Sequence, residues 1–497
     1  LEQRVFIFLI AVSLFTKQSV SQVVKWSEQL NESRKTPYMK ILGEDVKENF
    51  FVLMSNFPFD DEKKYSGLKS RVYSLQYYNA DFRLLWDKEF LTSVENGFIS
   101  DVKMINGKIM VAGYNVDKKK GIYTFYTQCI DELGKWQGSP LYLDTISSNL
   151  LDEDSKPGFI HSRDQSMVAF SFRLIDDVKK KQSVRIAAVD TTMNLRYKRE
   201  IEIPFSYQDF ELIDNILTNS GSFYVIGFHR KPEKKSKTSI QNYYELYGYN
   251  TLIDQAVNTT IRSENRYLTE VGITSDDVNR SIVIAGFYSE KTTYSSAGVF
   301  YYALTEDSLK ETKTINTPFD AAYLRKFLGE KKEERELVNY SIDRLRVRKD
   351  GGVGLIAESK FQSNRSYYDY YLQSFISHTY YHYGNIMVLS VNPDGNILWN
   401  ILISKDQNSV DDDGYLSSYF GAVTGGRLVV LFNKYIDAES SVIMSSVDAT
   451  GMQKTETLFG AMEKVYIIPR SGKQISEDTF LIPAYKKKKF YMIRITL

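Results

Sequence analysis

A short apolar run ending in a small residue recurs along this chain at a nearly constant interval, and no other feature restricts the fold as much. In order the runs are Val52-Leu-Met-Ser-Asn56, Met110-Val-Ala-Gly-Tyr114, Val168-Ala-Phe-Ser-Phe172, Tyr224-Val-Ile-Gly-Phe228, Val283-Ile-Ala-Gly-Phe287, Gly354-Leu-Ile-Ala-Glu358, Leu428-Val-Val-Leu-Phe432 and Phe480-Leu-Ile-Pro-Ala484. The small residues Ser55, Gly113, Ser171, Gly227 and Gly286 lie 58, 58, 56 and 59 positions apart. Independent β domains have no reason to keep such a period, whereas propeller blades do. A continuous apolar run reads as a strand buried on both faces. The small residue at its end is expected to face the crowded centre of a ring.

A second element follows these runs. Residues 74–86, 125–136 and 388–399 each read as strand, turn and strand, closing on Trp86, Trp136 and Trp399, so the tryptophans are expected at one equivalent point of the repeat. The fourth, Trp26, has the second strand of such a hairpin with no first strand before it, while residues 490–497 form a first strand with nothing after it. The two ends therefore complete one unit. First strands precede the apolar runs, for example at 98–105, 211–217 and 342–347. The expectation is an all-β, eight-bladed β-propeller spanning 22–497 as a single domain, closed by the N-terminal strand at 22–30. Seven blades with a separate C-terminal hairpin is the competing architecture.

The hairpin with Asp or Asn, then Gly, then Trp resembles a degenerate docking motif of quinoprotein-like eight-bladed propellers of the exported bacterial type. Asn392-Pro-Asp-Gly395 to Trp399 keeps the Gly-to-Trp spacing, Ser446-Val-Asp-Ala-Thr-Gly451 lacks the Trp, and Asp131 to Trp136 is shortened. The resemblance implies paired cysteines and a calcium-quinone site in catalytic members. Cys129 is the only cysteine here and cannot supply that pair.

Composition narrows the function classes. With 36 Tyr, 29 Phe and 10 Pro the chain favours aromatic-rich strands over linkers. Sixty-three basic against 62 acidic side chains give no global attraction to nucleic acid. Residues 1–21 carry Arg4, an apolar run from Val5 to Phe15 and a Ser19-Val20-Ser21 site, the pattern of a secretory signal peptide. The protein is thus expected to be exported, to the periplasm, the outer surface or beyond. No later run is long and apolar enough to cross a membrane as a helix. Cys129 is expected to be a buried apolar residue.

Two segments break the period, both around blade 6. Residues 318–341 read as a charged surface helix packing Tyr323, Leu324, Phe327 and Leu328. Residues 362–383 hold Tyr367, Tyr368, Tyr370, Tyr371, Phe375, His378, Tyr380, Tyr381 and His382. Both insertions should emerge on one face, and long loops on rigid scaffolds commonly carry function. The aromatic segment is either a binding loop or an extension of the blade 6 hairpin packed on the neighbouring helix. His378 and His382 would share a metal only at helical spacing, and no third ligand accompanies them, so no metal and no cofactor is expected. Lysine-rich hairpin tips, among them 63–64, 118–120, 179–181, 231–237 and 486–489, either form a basic rim or keep the tips soluble. Asp411-Asp-Asp-Gly414 reads as a solvated turn. There is no Gly-x-Ser-x-Gly, P-loop, dinucleotide fingerprint or zinc-protease motif. The sequence thus points to a non-catalytic propeller, monomeric or within a hetero-complex, that presents one loop face to a protein or glycan partner. An enzyme acting on polysaccharide in the central funnel is the competing class.

Overall fold

The computed structural model describes residues 22–30, 38–56, 73–90, 92–152, 157–230, 233–236, 239–241, 243–263, 266–328, 336–371, 373–437 and 439–497. The expected signal peptide at 1–21, the lysine pair at 63–64, the side chains of the 231–237 tract and residues 329–335 of the charged insertion lie outside them.

Eight antiparallel sheets follow one another along the chain as blades 1 to 8, at 38–90, 97–147, 158–203, 210–262, 267–318, 340–403, 420–459 and 465–496. All eight apolar runs are the second strands of these sheets. The eighth sheet takes its outermost strand from Val23–Trp26, which pairs antiparallel with Lys489–Thr496 so that Val23 faces Thr496 and Trp26 faces Ile493. Ser27 and Leu30 extend the pairing through bonds to the Met492 and Phe490 carbonyls, both 2.9 Å. The eight-bladed architecture holds, and the last blade is completed by the first strand.

The core is divided into eight apolar layers, each between consecutive blades. Val283, Phe287, Leu355 and Leu389 fill the layer between blades 5 and 6, and Phe50, Val52, Leu481 and Met492 fill the one between blades 1 and 8. Because second strands are buried on both faces, each contributes to two layers, which explains their uninterrupted apolar sequence. At Gly113, Gly227 and Gly286 the small residue has a more local cause than crowding at the ring centre. The innermost strands of blades 1, 2, 4, 5 and 6 each carry a β-bulge. In blade 4 the bulged strand brings the Glu211 carbonyl to where a Cβ on Gly227 would lie, 2.5 Å away. Only glycine fits beneath it.

The hairpins that precede the outer strands share one turn chemistry. In blades 1, 2, 3, 6 and 7 the side-chain oxygen of Asn79, Asp131, Asp190, Asn392 or Asp448 accepts two backbone N–H groups, those of the second and fourth residues on. The third residue on is left-handed in each case, and glycine at three of the five. At two joints a tryptophan docks on the next blade's turn. Trp86 Nε1 donates to the Glu132 carbonyl at 3.2 Å over Gly134, and Trp399 Nε1 donates to the Ala449 carbonyl at 3.0 Å over Gly451.

The other two tryptophans do not share this position. Trp86 and Trp399 stand seven residues beyond the turn's first Asn, but Trp136 stands five beyond Asp131 and pairs with Ile130, as Leu84 pairs with Tyr78. A register shift lies between the two positions in blades 1 and 6 and reverses which face a side chain takes. Trp136 accordingly joins the layer with blade 1 and Trp26 packs back on Phe459 of blade 7, with ring centroids 5.3 Å apart. The expectation of one equivalent point for all four is corrected.

Every joint also carries a polar bond between blades. In ring order these are Lys40 to Asp101 (2.8 Å), Lys103 to the Phe159 carbonyl, Gln182 to the Phe210 carbonyl (3.0 Å), the Ile273 amide to Asp214 (3.4 Å), the Ile342 amide to Glu270 (3.2 Å), Arg344 to the Gly421 carbonyl (2.6 Å), Gln474 to the Val423 carbonyl (2.8 Å) and Arg494 to the Glu48 carbonyl (3.3 Å).

Removing residues 22–30 strips one edge of Lys489–Thr496 and uncovers part of the layer with blade 7. The expected result is a lower melting temperature and self-association in size-exclusion chromatography. Unchanged stability and a clean monomer would contradict closure by this strand. The Asp448 turn gives a pH test. The Thr450 hydroxyl and the Met452 and Thr450 amides hold its carboxyl below the ordinary 3.8, so its contribution is complete above that value and is lost as pH falls through the depressed one. Asp448→Asn keeps the turn, as Asn392 does, and should narrow the stability difference between neutral and strongly acidic pH in urea titrations.

Candidate functional site

The second and third strands of blade 6 do not stop where their counterparts do. They run over Val353–Asp369 and Ser374–Val391, so residues 360–369 and 374–383 form a ribbon standing about 30 Å beyond the blade at ~3.3 Å per residue. The aromatic segment therefore extends the blade 6 hairpin. It is not packed on the helix, which spans Ala321–Leu328 and lies at the ribbon's root. There Tyr323 is buried, stacking between Phe319 at 4.5 Å and Phe327 at 4.6 Å, and Phe327 reaches Tyr340 at 5.8 Å. Tyr340 pairs with Ser359, where the ribbon begins, so both insertions leave blade 6 at the same end. Tyr323 anchors the helix within the core layer, and the half-buried Phe327 packs against it.

Alternation along the ribbon sorts the remaining candidates. One face stacks Phe361 on His382 at 4.4 Å, sets the Arg365 guanidinium 4.9 Å from the Tyr380 ring and stacks Tyr367 on His378 at 5.7 Å. The other face turns Tyr381 and Tyr383 toward the body of the protein. At the tip Tyr368 meets Tyr370 edge-on at 5.2 Å and Phe375 at 5.3 Å. Tyr371 is 97% exposed, Tyr370 87% and Phe375 74%, far more than aromatic side chains in a soluble protein's surface usually are.

His378 and His382 lie on one face but four residues apart in a strand, about 13 Å, which is too far for a shared metal. Each is already engaged. His378 Nδ1 meets Asp411 at 2.5 Å, and His382 Nδ1 meets the Asn408 side-chain oxygen at 2.6 Å. Among the described residues no three His, Cys, Asp or Glu side chains gather as a metal site.

A short strand that the sequence did not disclose explains this engagement. Gln407–Val410 pairs with Tyr380–Tyr383 of the ribbon. The acidic turn after it is solvated at Asp411 and Asp413, as expected, and is also a clamp. Asp411 accepts from His378 and from the Thr379 amide at 2.8 Å, Asp412 from Ser409 at 2.6 Å and the Gly414 amide at 2.8 Å, and Asp413 from the Tyr381 hydroxyl at 2.7 Å. The His378 bond, with that of the Thr379 amide, holds the Asp411 carboxyl below its ordinary range. The Asp413 bond, aided by burial, pushes the Tyr381 hydroxyl up to about 12. The lower half of the ribbon is thereby fixed while its tip stays in solvent.

Beneath the ribbon lies a buried ion pair. The Lys405 ammonium meets Glu358 at 2.7 Å, and both side chains are sealed from solvent. Lys405 also donates to Gln407 at 2.9 Å and to the Tyr383 carbonyl at 3.2 Å, while Ser418 donates to the other Glu358 oxygen at 2.7 Å. Burial pushes the Glu358 carboxyl up and the Lys405 ammonium down, and the opposite charge of each partner resists that shift. Three acceptors around one ammonium suit the charged form. A cleft of about 680 Å³ opens beside the pair, lined by Asp343, Lys360, Tyr383, Tyr419 and Arg470.

A second cavity, of about 1130 Å³, occupies the channel between the innermost strands. Asp214, Glu270, Asp343, Arg344 and Arg346 line it with Lys103 and Arg163. Sequence reading passed over these residues. Its available signal was charge at alternate positions of first strands, Asp101 with Lys103 and Arg344 with Arg346, beside second strands that are wholly apolar. Burial raises the Asp214 and Glu270 carboxyls, each of which also accepts an amide of the next blade.

No protein-family model and no curated protein matches this chain. Among solved structures it is similar to the WD40 domain of SCAP from fission yeast, at 8% identity over 96% of this chain and 98% of that one, with a TM-score of 0.36. It is similar also to an oligogalacturonate lyase in complex with manganese, at 10% identity over 81% and 97%, TM-score 0.34, and to prolyl oligopeptidase B from Galerina marginata, at 8% over 92% and 56%, TM-score 0.38. At these identities and TM-scores the likenesses carry no argument, and the architecture rests on the sheet topology and the function on the site.

Truncating Lys405 to Met strands the Glu358 carboxylate. We expect a loss of about 3–5 kcal/mol in chemical denaturation. Lys405→Met combined with Glu358→Leu should recover most of it, and equal instability of single and double variants would contradict the pairing.

Proposed function

We propose that this protein is a non-catalytic binding propeller that presents the blade 6 ribbon to a protein or glycan partner. The observation carrying this reading is the contrast within one hairpin: a root fixed by the 411–414 clamp and the Glu358–Lys405 pair, and a tip of five aromatic side chains, Tyr367, Tyr368, Tyr370, Tyr371 and Phe375, left in solvent. Pre-ordering lowers the conformational entropy lost on binding. Aromatic rings bury large area against peptide side chains or sugar faces at little rotameric cost. The tryptophan-on-turn docking at two joints supports a place among quinoprotein-like propellers. An exported location, periplasmic or at the cell surface, fits the apolar segment before residue 22.

One observation favours the enzyme reading: Asp214 and Glu270 are carboxyls raised by burial in an open channel, the condition of a general acid for glycoside chemistry. On that reading the channel, and not the ribbon, would take polysaccharide.

The test compares the intact protein with a variant whose residues 362–383 are replaced by a short turn, in pull-downs from envelope extract and on a glycan array. The binding reading predicts that the variant keeps its melting temperature within a few degrees and loses a specific partner. Retained binding would move attention to the channel, where Glu270→Gln abolishing polysaccharide turnover would favour the enzyme.

A further inference from the structure

The channel gathers cations, several of them without an ion-pair partner. Lys103, Arg163, Arg344 and Arg346 line it from blades 2, 3 and 6. Lys40 and Lys473, from blades 1 and 8, stand near enough for their charges to bear on Lys103. The set is continuous. Burial lowers the Lys473 ammonium, with Lys40 and Arg344 adding to the effect, and lowers the Arg346 guanidinium, with Arg344 and Arg163 adding to it. Asp101 serves Lys40 at 2.8 Å and Lys103 at 3.8 Å. Asp343 is held by Lys360 at 2.7 Å and Tyr419 at 3.0 Å. Among the described residues no carboxylate forms an ion pair with Arg163, Arg344, Arg346 or Lys473.

Two buried charges elsewhere are paired. The buried Asp144 meets Arg185 at 3.1 Å and also Lys198, and Lys405 meets Glu358. Three unpaired cations, Arg163, Arg344 and Arg346, converging from two blades beside Lys103 in a partly desolvated channel repel one another, and such clustering costs stability unless something negative fills it. The remaining carboxyls of the cavity, Asp214 and Glu270, belong to blades 4 and 5. Burial raises both and each is bonded to a backbone amide, so they oppose an anion less than two free carboxylates would. The cavity, about 1130 Å³, is of the size that takes a small molecule whole. Guanidinium forks match phosphate and carboxylate oxygens in pairs.

We propose that the central channel is a binding site for a small, multiply charged oxyanion, a phosphorylated or polycarboxylated compound held among Lys103, Arg163, Arg344 and Arg346. This site is separate from the aromatic ribbon and does not depend on what the ribbon binds.

The experiment is titration calorimetry and thermal denaturation of the full chain with sodium tripolyphosphate and, separately, sodium citrate, at ionic strength matched with sodium chloride. Binding with a rise in melting temperature is expected for at least one probe, and the arm that responds tells phosphate from carboxylate chemistry. Arg346→Gln with Arg163→Gln should weaken that binding about tenfold or more, and without ligand should leave the protein at least as stable as the parent. Arg163→Gln alone gives the same reading at a solvent-exposed residue if the double variant does not fold. A surface control, Lys118→Gln with Lys119→Gln and Lys120→Gln, should bind as the parent does. No binding of either probe, or an equal loss in the surface control, would overturn the proposal.

Discussion

A strand that is apolar on both faces commits its sheet to a neighbour on each side, and this chain contains eight of them. A row of such sheets always leaves its two end faces bare. The chain removes that cost by bringing the eighth sheet against the first, where Leu481 and Met492 pack with Phe50 and Val52. Hydrogen bonding at the termini serves the same end. Without Val23–Trp26 the last blade would expose an unpaired strand and one side of the layer that Trp26 shares with Phe459. The other devices fit inside this requirement: the bulged inner strands, the repeated Asn or Asp turns and the polar bond at every joint fix how each blade meets the next.

Rigidity of that kind gives meaning to the part that projects from it. In blades 2, 3 and 8 the central hairpin turns within a few residues, between Asp117 and Ile122, Asp176 and Lys181, and Lys486 and Lys489, and in blade 6 it does not. Its extension is held by features that each address a separate weakness of a projecting two-stranded ribbon, which alone is marginal in water. A third strand at Gln407–Val410 covers one edge, Asp411 and Asp413 engage its polar groups, and an enclosed ion pair fixes its root. The support ends below the tip, where the aromatic rings begin. The channel shows the converse arrangement, a rigid surround with unbalanced charge inside it.

What the residues disclose in advance follows from the range over which each signal acts. Second strands were readable because burial on both faces leaves a local, continuous apolar record, as in Val283-Ile-Ala-Gly-Phe287. The lone outer strand at Trp26 was readable from the absence of its hairpin mate. Trp136 was misplaced because a β-bulge shifts which face a side chain takes and writes little into the sequence, so a tryptophan two residues from the docking position resembles one that occupies it. Asp411 to Gly414 read only as a solvated turn because its partners, Thr379 and Tyr381, are distant in sequence. The channel escaped notice for the same reason: Lys103, Arg163 and Arg344 are ordinary residues until three blades bring them together. Tyr323 and Phe327 had the correct helical spacing, but a helix face tells which residues are buried only once its neighbour is known.

Hydrogen exchange across Lys489–Thr496 tests ring closure most directly. Paired on both sides, this segment should exchange as slowly as Val442–Val447, the corresponding strand of blade 7. Rapid exchange confined to 489–496, with Val442–Val447 protected, would mean that the N-terminal strand does not seal the eighth blade and would contradict the architecture on which the rest depends.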